Sequence, residues 1–313
     1  MKAIITGGLG QIGSHIAELL LQRGDQVLVI DNLATGRHEH LSPSPGLLVE
    51  IASIADREKV FKLFAAFQPD IVIHAAASYR NPDDWTADIE TNCLGGANIV
   101  QAAKCHQVPR LIYFQTSLCY GLKPDHQPIT LKHPRRPEGS SYAITKTTNE
   151  LFIELSGLDY VTFRLANVIG PRNVAGPLPI FYQRLKNGKQ CFVTRSRRDF
   201  VYVKDLAKVV VQACDGVGQG TYHFSSGSDV AISELYDAVV EAMGLTEYPA
   251  PEIRELGPDD AASILLDPSR TLQDFGPIRF TPIKETVAAA IAYFQEHGTL
   301  GEYTHLKVNP EPK

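Results

Sequence analysis

The sequence is short of the features that mark an unusual environment. Among its 313 residues are 5 cysteines, 2 methionines and 1 tryptophan, and neither sign of charge dominates, with 30 Lys and Arg against 35 Asp and Glu. A net charge of −5 removes any general attraction to nucleic acid or to acidic membranes. No apolar run approaches the roughly 18 residues of a membrane span. The chain opens directly on a strand-like segment, without the layout of a signal peptide. Cys93, Cys105, Cys119, Cys191 and Cys214 are odd in number and scattered, so they imply neither a disulfide framework nor a metal site. They read as small core residues of a reduced, cytoplasmic protein. There is no internal repeat and no low-complexity segment. What is present is an ordinary globular composition, 44% hydrophobic and 21% charged. The length suits one large domain or two.

The first thirty residues carry the first positive signal. Lys2-Ala3-Ile4-Ile5-Thr6 has the β-branched, apolar character of a buried strand. It runs into Gly7-Gly8-Leu9-Gly10-Gln11-Ile12-Gly13. Ser14 to Arg23 then reads as a helix with an apolar face of Ile16, Ala17, Leu19, Leu20 and Leu21, stopped by Gly24. A second strand, Gln26 to Ile30, ends at Asp31. Strand, glycine turn, helix and acid-terminated strand make a dinucleotide-binding unit. The glycines allow close backbone approach to a pyrophosphate, and the helix N-terminus offers N–H groups and a positive dipole. A glycine turn that merely packs a helix on a sheet is the bland alternative, but it leaves Asp31 unexplained. A carboxylate there accepts hydrogen bonds from the adenosine ribose and repels a 2′-phosphate, which favours NAD over NADP. Arg37, a few residues on, is the one nearby group able to hold a phosphate instead.

Strand and helix patterns alternate through the first half: strands at 47–51, 71–74, 110–115 and 160–165, and helices at 56–67, 88–106 and 142–156. Such alternation predicts a parallel sheet with helices on both faces, and ligands beyond the carboxyl ends of its strands. The second half holds many of the 20 prolines. Helices are expected there at 180–187, 204–215, 233–243 and 283–295. The fold class expected is α/β: a Rossmann-type doubly wound parallel sheet with a smaller α/β C-terminal substrate-binding cap. Residues 1–166 form the NAD-binding part, a segment near 200–225 returns to it, and 167–313 are mainly cap.

Chemistry enters with Tyr142 and Lys146. Four residues apart on a helix, they share one face. A nearby ammonium favours the phenolate and lowers the tyrosine pKa toward working pH, giving a general base for a sugar or alcohol hydroxyl. A surface Tyr and Lys on an amphipathic helix is the bland reading. Thr116 and Ser117 lie just past a buried strand, at the ligand edge of the sheet. Either offers a hydroxyl to the oxygen that Tyr142 deprotonates, or simply caps the strand end.

In ordered motifs the chain resembles the extended short-chain dehydrogenases that modify nucleotide sugars. Thr6–Gly13 is similar to their TGxxGxxG turn, His74-Ala75-Ala76-Ala77 to the segment beside the cofactor, and Thr116–Gly121 to a hydroxyl-plus-YG segment. Tyr142 and Lys146 match the catalytic pair. Arg164–Arg172 resembles RxxNVYGPR, and Arg198–Asp205 resembles RDFVHVxD. The 74–85 and 115–121 segments most resemble bacterial sugar epimerases of lipopolysaccharide O-antigen pathways. The resemblance implies that Tyr142 is the base, that Lys146 holds the nicotinamide ribose, and that Thr116 binds the reacting oxygen. It implies cofactor contacts at Gly7, Gly10, Gln11, Ile12, Gly13, Asp31, Asn32, Thr35, Gly36, Ser53, Ile54, Ala75, Ala76 and Ala77. Substrate contacts are implied at Arg80, Asn167, Arg198 and Asp260, with Arg198 suited to a phosphate oxygen. For Arg198 a surface salt bridge with Asp199 is the alternative.

Departures from the pattern narrow the reading. Family dehydratases follow the threonine with Asp and Glu. Ser117 and Leu118 stand here, and neither serves as an acid or base. Ser53 stands near a common acid that reaches adenine. Gly257 occupies the place of a common pyrophosphate-binding arginine, with Arg195 or Arg197 as candidate substitutes. The reading is therefore an NAD-dependent C4-epimerase of a nucleotide sugar, acting through a 4-keto intermediate with its cofactor retained. The carrier expected is UDP, linked to a hexose or a uronic acid, with an acetamido substituent admitted. The uronic acid follows if Arg80 pairs with a C6 carboxylate rather than with Asp83 or Asp84. No metal, nucleic acid or membrane partner is expected, and a homodimer is expected through helices 88–106 and 142–156. Two alternatives stay open: a keto-sugar reductase or dehydrogenase, and a non-catalytic dinucleotide-binding regulator.

Overall fold

The computed structural model describes residues 1–79, 81–257 and 260–299. Arg80, one of the expected substrate contacts, lies outside the described residues. The chain runs β1 (Lys2–Thr6), α1 (Gln11–Gln22), β2 (Gln26–Asp31), β3 (Leu47–Ile51), α2 (Arg57–Phe67), β4 (Ile71–His74), α3 (Trp85–Asp88), α4 (Gly96–Cys105), β5 (Arg110–Thr116), α5 (Ser141–Ser156) and β6 (Asp159–Leu165). It continues with β7 (Asn167–Ile169), α6 (Pro177–Lys186), β8 (Phe192–Thr194), β9 (Arg197–Arg198), β10 (Phe200–Tyr202), α7 (Val203–Cys214), β11 (Gly220–Phe224), β12 (Val230–Ala231), α8 (Ile232–Met243), β13 (Glu252–Arg254), β14 (Ser263–Ile264), α9 (Ser269–Phe275) and α10 (Ile283–His297).

Seven strands form one parallel sheet in the order β11-β6-β5-β4-β1-β2-β3. The order reverses at β1 and β4, which pair as Thr6 with His74 at their carboxyl ends. A crevice at such a reversal is where a doubly wound sheet takes its ligand. The central strands are buried on both faces, so they read as continuous apolar runs without alternation: Ala3, Ile4 and Ile5 are all fully buried. Ile5, Val29, Ile73 and Val161 join one core cluster with α1 and α7, while Ile4, Leu28, Val72 and Leu111 join another with α2 and α4.

A third core cluster lies apart from the sheet. Leu178 and Phe181 of α6, Leu235 and Val239 of α8, and Val287 and Ile291 of α10 pack together. The expected C-terminal helices are all present, with shifted ends. Helix α6 begins at Pro177 rather than at 180, because proline at the first helical turn loses no hydrogen bond. The long helix expected at 88–106 is interrupted: residues Ile89–Gly95 between α3 and α4 are π-helical. The short strands β7 to β10 and β12 to β14 go unpredicted, since two or three residues show no periodicity.

Candidate active site

One cavity of about 1000 Å³ spans the ligand edge of the sheet and the inner face of the C-terminal cluster. That volume suits a dinucleotide and a second ligand together. Its floor is the glycine turn. Gly7 has φ +65°, and a Cβ there would lie 2.7 Å from the Ala76 backbone nitrogen. A Cβ on Gly13 would lie 2.4 Å from the Gly7 carbonyl oxygen. Helix α1 therefore begins flush against the turn. No side chain caps it and its first turn holds no acid, so its free N–H groups face the cavity as an anion cradle.

Asp31 closes this end. It is buried, and its carboxylate accepts from the backbone N–H of Leu9 at 3.0 Å and of Leu33 at 2.8 Å. Burial pushes its pKa up, while those two donors pull it down. Each oxygen keeps lone-pair capacity for ribose hydroxyls. Gly7, Gly10, Gln11, Ile12, Gly13, Asn32, Thr35, Ser53, Ile54, Ala75, Ala76 and Ala77 line the same cavity. Gly36 sits behind the lining, where a Cβ would meet the Asp31 carboxylate oxygen at 2.8 Å. Arg37 points away, donating to the carbonyl of His297 at 3.0 Å.

At the other end of the turn stand Thr116, Tyr142 and Lys146, all lining the cavity. Thr116 ends β5, and its hydroxyl oxygen accepts from the Leu118 N–H at 3.2 Å, leaving its O–H free to donate. Helix α5 is capped by Ser140, whose side chain accepts from Ala143 N–H at 3.1 Å, so the first turn that carries Tyr142 is firmly held. The Lys146 ammonium lies 4.2 Å from the centre of the Tyr113 ring. The Tyr79 ring meets Tyr142 edge-on at 6.4 Å.

The electrostatics correct one expectation. Tyr142 is not lowered: burial pushes its phenol above the ordinary value, and the neighbouring Tyr79 and Asp88 add to that. Burial also holds Lys146 down, to about 7, against the opposing pull of Glu150. The charge relation inferred from four-residue spacing is overridden by desolvation.

Toward the C-terminal cluster, Asn167, Arg198 and Asp260 all line the cavity. Asn167 donates its side-chain amide to the Asp199 carbonyl at 3.1 Å, which leaves its own oxygen available. Arg198 pairs with Asp260, and burial holds its pKa down. Asp199 is not its partner. That carboxylate is buried and takes hydrogen bonds from Ser225 Oγ at 2.6 Å, Ser226 Oγ at 2.5 Å and Ser226 N–H at 2.9 Å. Arg197 is exposed and pairs with Asp229 at 2.7 Å, and Arg195 is exposed as well, so neither lines the cavity in place of the missing arginine. Arg184 of α6 does line it, together with Ile180 one turn earlier. Sequence reading missed Arg184. Its only signal was a shared helical phase with Ile180, inside a segment rich in other cations.

A glycine turn under a helix N-terminus, a buried acid on the second strand and a Tyr–Lys pair in one cavity define an NAD-dependent enzyme of the extended short-chain dehydrogenase type. Residues 3–224 match the NAD dependent epimerase/dehydratase family. The chain belongs to that family: it is an NAD-dependent enzyme of the epimerase class, and NAD is its cofactor. It is similar to the Bordetella bronchiseptica enzyme WbmH, solved in complex with NAD+, at 68% identity and a TM-score of 0.94, covering 95% of this chain and 99% of that one. It is also similar to WbmG of the same organism, solved with NAD and UDP, at 39% identity and a TM-score of 0.88, covering 97% of each chain. A UDP-glucose 4-epimerase of Mycolicibacterium smegmatis is 28% identical over 314 residues, 94% of this chain and 99% of that protein.

Proposed function

We propose that the protein epimerises a UDP-linked hexose or uronic acid at C4 through a 4-keto intermediate, with NAD retained between turnovers. The observation that carries this reading is the placement of Thr116, Tyr142 and Lys146 on one wall of a cavity whose other end offers Arg198, Arg184 and Asn167. Bound NAD supplies the hydride acceptor and donor. Tyr142 takes the C4 hydroxyl proton and returns it, Thr116 donates to the same oxygen, and Lys146 holds the nicotinamide ribose. Arg198, with Arg184, would grip the diphosphate, since guanidinium suits phosphate oxygens. The named relatives that bind UDP or act on UDP-glucose support the carrier. Ser117 and Leu118 argue against elimination at C6. A uronic acid substrate rests on Arg80, and a place in O-antigen synthesis rests on the 74–85 and 115–121 resemblance.

We also read residues 1–166 as the NAD-binding part, with 200–225 returning to it and 167–313 mainly as the substrate cap. A homodimer is supported by exposed apolar side chains on the two helices expected to pair: Ile89 and Leu94 beside Ile144, Leu151, Phe152 and Leu155. No helix among the described residues is long and apolar enough to cross a membrane. The five free cysteines fit a reducing, cytoplasmic setting. The deciding experiment incubates the protein, without added NAD, with a panel of UDP-hexoses and UDP-uronic acids and reads the product by NMR. A C4 epimer is the expected product. No conversion of any nucleotide sugar would overturn the reading, and conversion only with stoichiometric NADH would favour a reductase.

A further inference from the structure

Behind the catalytic wall, where α5 packs against β5 and β6, lies a buried polar chain that the reaction as described does not use. Glu150, one helical turn beyond Lys146, is wholly buried. One of its oxygens accepts from Arg164 Nε at 3.0 Å. The other accepts from Gln115 Nε2 at 3.1 Å and from Arg135 at 3.2 Å. Gln115 in turn accepts the Thr116 backbone N–H at 2.8 Å. Arg164 donates to Tyr120 Oη at 2.5 Å, Tyr120 donates to His223 Nε2 at 2.6 Å, and His223 Nδ1 reaches the Asp267 carbonyl at 3.0 Å. One carboxylate thus ties together the helix bearing Tyr142 and Lys146, the strand end bearing Thr116, and the neighbouring strand β6.

We propose that Glu150 is a positioning residue of the active site, fixing Thr116 relative to Lys146 through Gln115, with its buried carboxylate one helical turn from Lys146. This rests on the epimerase reading. An ion pair that merely stabilised the core would need only Arg164, whereas this carboxylate also holds the residue next to Thr116 and stands one turn from the ammonium. Among the described residues, the titratable groups facing Lys146 are few. Glu150 and Tyr142 come from its own helix, Tyr113 from β5 and His74 from β4. His74 is buried and held neutral, with its pKa down at about 3, and burial pushes the Tyr113 phenol far up. Glu150 is therefore the anion that opposes desolvation of Lys146. Removing it moves the loss of the ammonium to lower pH.

The test compares wild type with Glu150→Gln, Glu150→Asp and Tyr120→Phe. Tyr120→Phe breaks the same chain further out and keeps the carboxylate. The readings are kcat, KM, and NAD affinity between about pH 6 and 9, the range in which a lysine lowered to about 7 changes charge. For Glu150→Gln, kcat falls at least about tenfold with KM within about twofold, a loss confined to the transition state. The alkaline fall-off of NAD affinity moves to lower pH. Glu150→Asp recovers the pH position, and Tyr120→Phe never loses it. If Glu150→Gln does not fold, Glu150→Gln/Arg164→Met removes the carboxylate together with its buried partner, leaving Arg135 on Glu154, and takes its place, since breaking one half of a buried pair costs more than removing both. An unchanged pH position, or a kcat within twofold of wild type at equal folded fraction, overturns the proposal. If wild type converts no nucleotide sugar, the functional reading fails while the NAD-affinity comparison still decides the role of Glu150.

Discussion

Tyr142 and Lys146 each sit where their charged form is disfavoured, and that has opposite consequences for activity and stability. Tyr142→Phe keeps the ring and removes the proton acceptor. The epimerisation rate should fall by roughly 10²–10⁴-fold while NAD affinity, read by fluorescence, stays near wild type. Lys146 carries its cost in the fold. Its pKa is lowered from 10.5 to about 7, so the unfolded chain holds a proton that the native chain releases between those values. The penalty is complete below about pH 7 and disappears as pH rises toward 10.5. Lys146→Met is expected to raise the Tm at pH 7 and to raise it less at pH 10. An equal gain at both would show that the effect is packing rather than charge. Tyr142, Lys146, Thr116 and Asp31 were legible in the sequence because their spacing and their places at strand ends express the chemistry directly. The direction of the Tyr142 shift was not legible, since it depends on how much of the fold closes over the phenol. Nor was the Arg198–Asp260 pair, which joins residues 62 positions apart.

Helices and strands were readable wherever periodicity ran long enough. Helix α5 was placed within one residue, because its apolar positions and the Ser140 cap agree. The π segment at Ile89–Gly95 was not, because nothing local distinguishes an i→i+5 ladder from an ordinary one. It carries Asn92, which accepts from Ser78 N–H at 2.9 Å and donates to Ser78 O and to Thr145 Oγ1, each at 3.1 Å. That side chain staples the loop after β4 to the catalytic helix. Ser140→Ala removes the α5 cap and should cost about 1 kcal/mol, seen as a lower urea midpoint. Because the loosened turn bears Tyr142, kcat should fall more than KM rises. A stability loss with unchanged kcat would show that the cap matters only to the fold.

Across the whole molecule, four buried histidines, His15, His40, His74 and His223, have their pKa lowered by burial and shape the response to acid. His74 is lowered to about 3, and His40 and His223 to about 4, all by burial. Each binds a proton in the unfolded chain before it does in the native one. Their contribution is complete above about pH 6.5 and is lost as pH falls toward 4, at up to about 1.4 kcal/mol per pH unit for each. The urea midpoint should therefore drop between pH 7 and pH 5, and an unchanged midpoint would mean that these rings are not shielded as drawn. The parallel sheet was legible as alternation. Its far edge was less so, because β11 enters beside β6 only after an excursion of more than fifty residues, locked by Arg110 donating to the carbonyls of Ala213, Val217 and Gly218. This late arrival has a consequence for synthesis. As the chain leaves the ribosome, six strands can be complete while β6 still presents an open row of N–H and C=O groups. Any product ending before about residue 220 keeps that row open permanently, a template for pairing with another copy. Premature termination in this stretch should yield aggregates rather than a smaller soluble NAD binder, and the last strand of the sheet acts as a check that most of the message has been read.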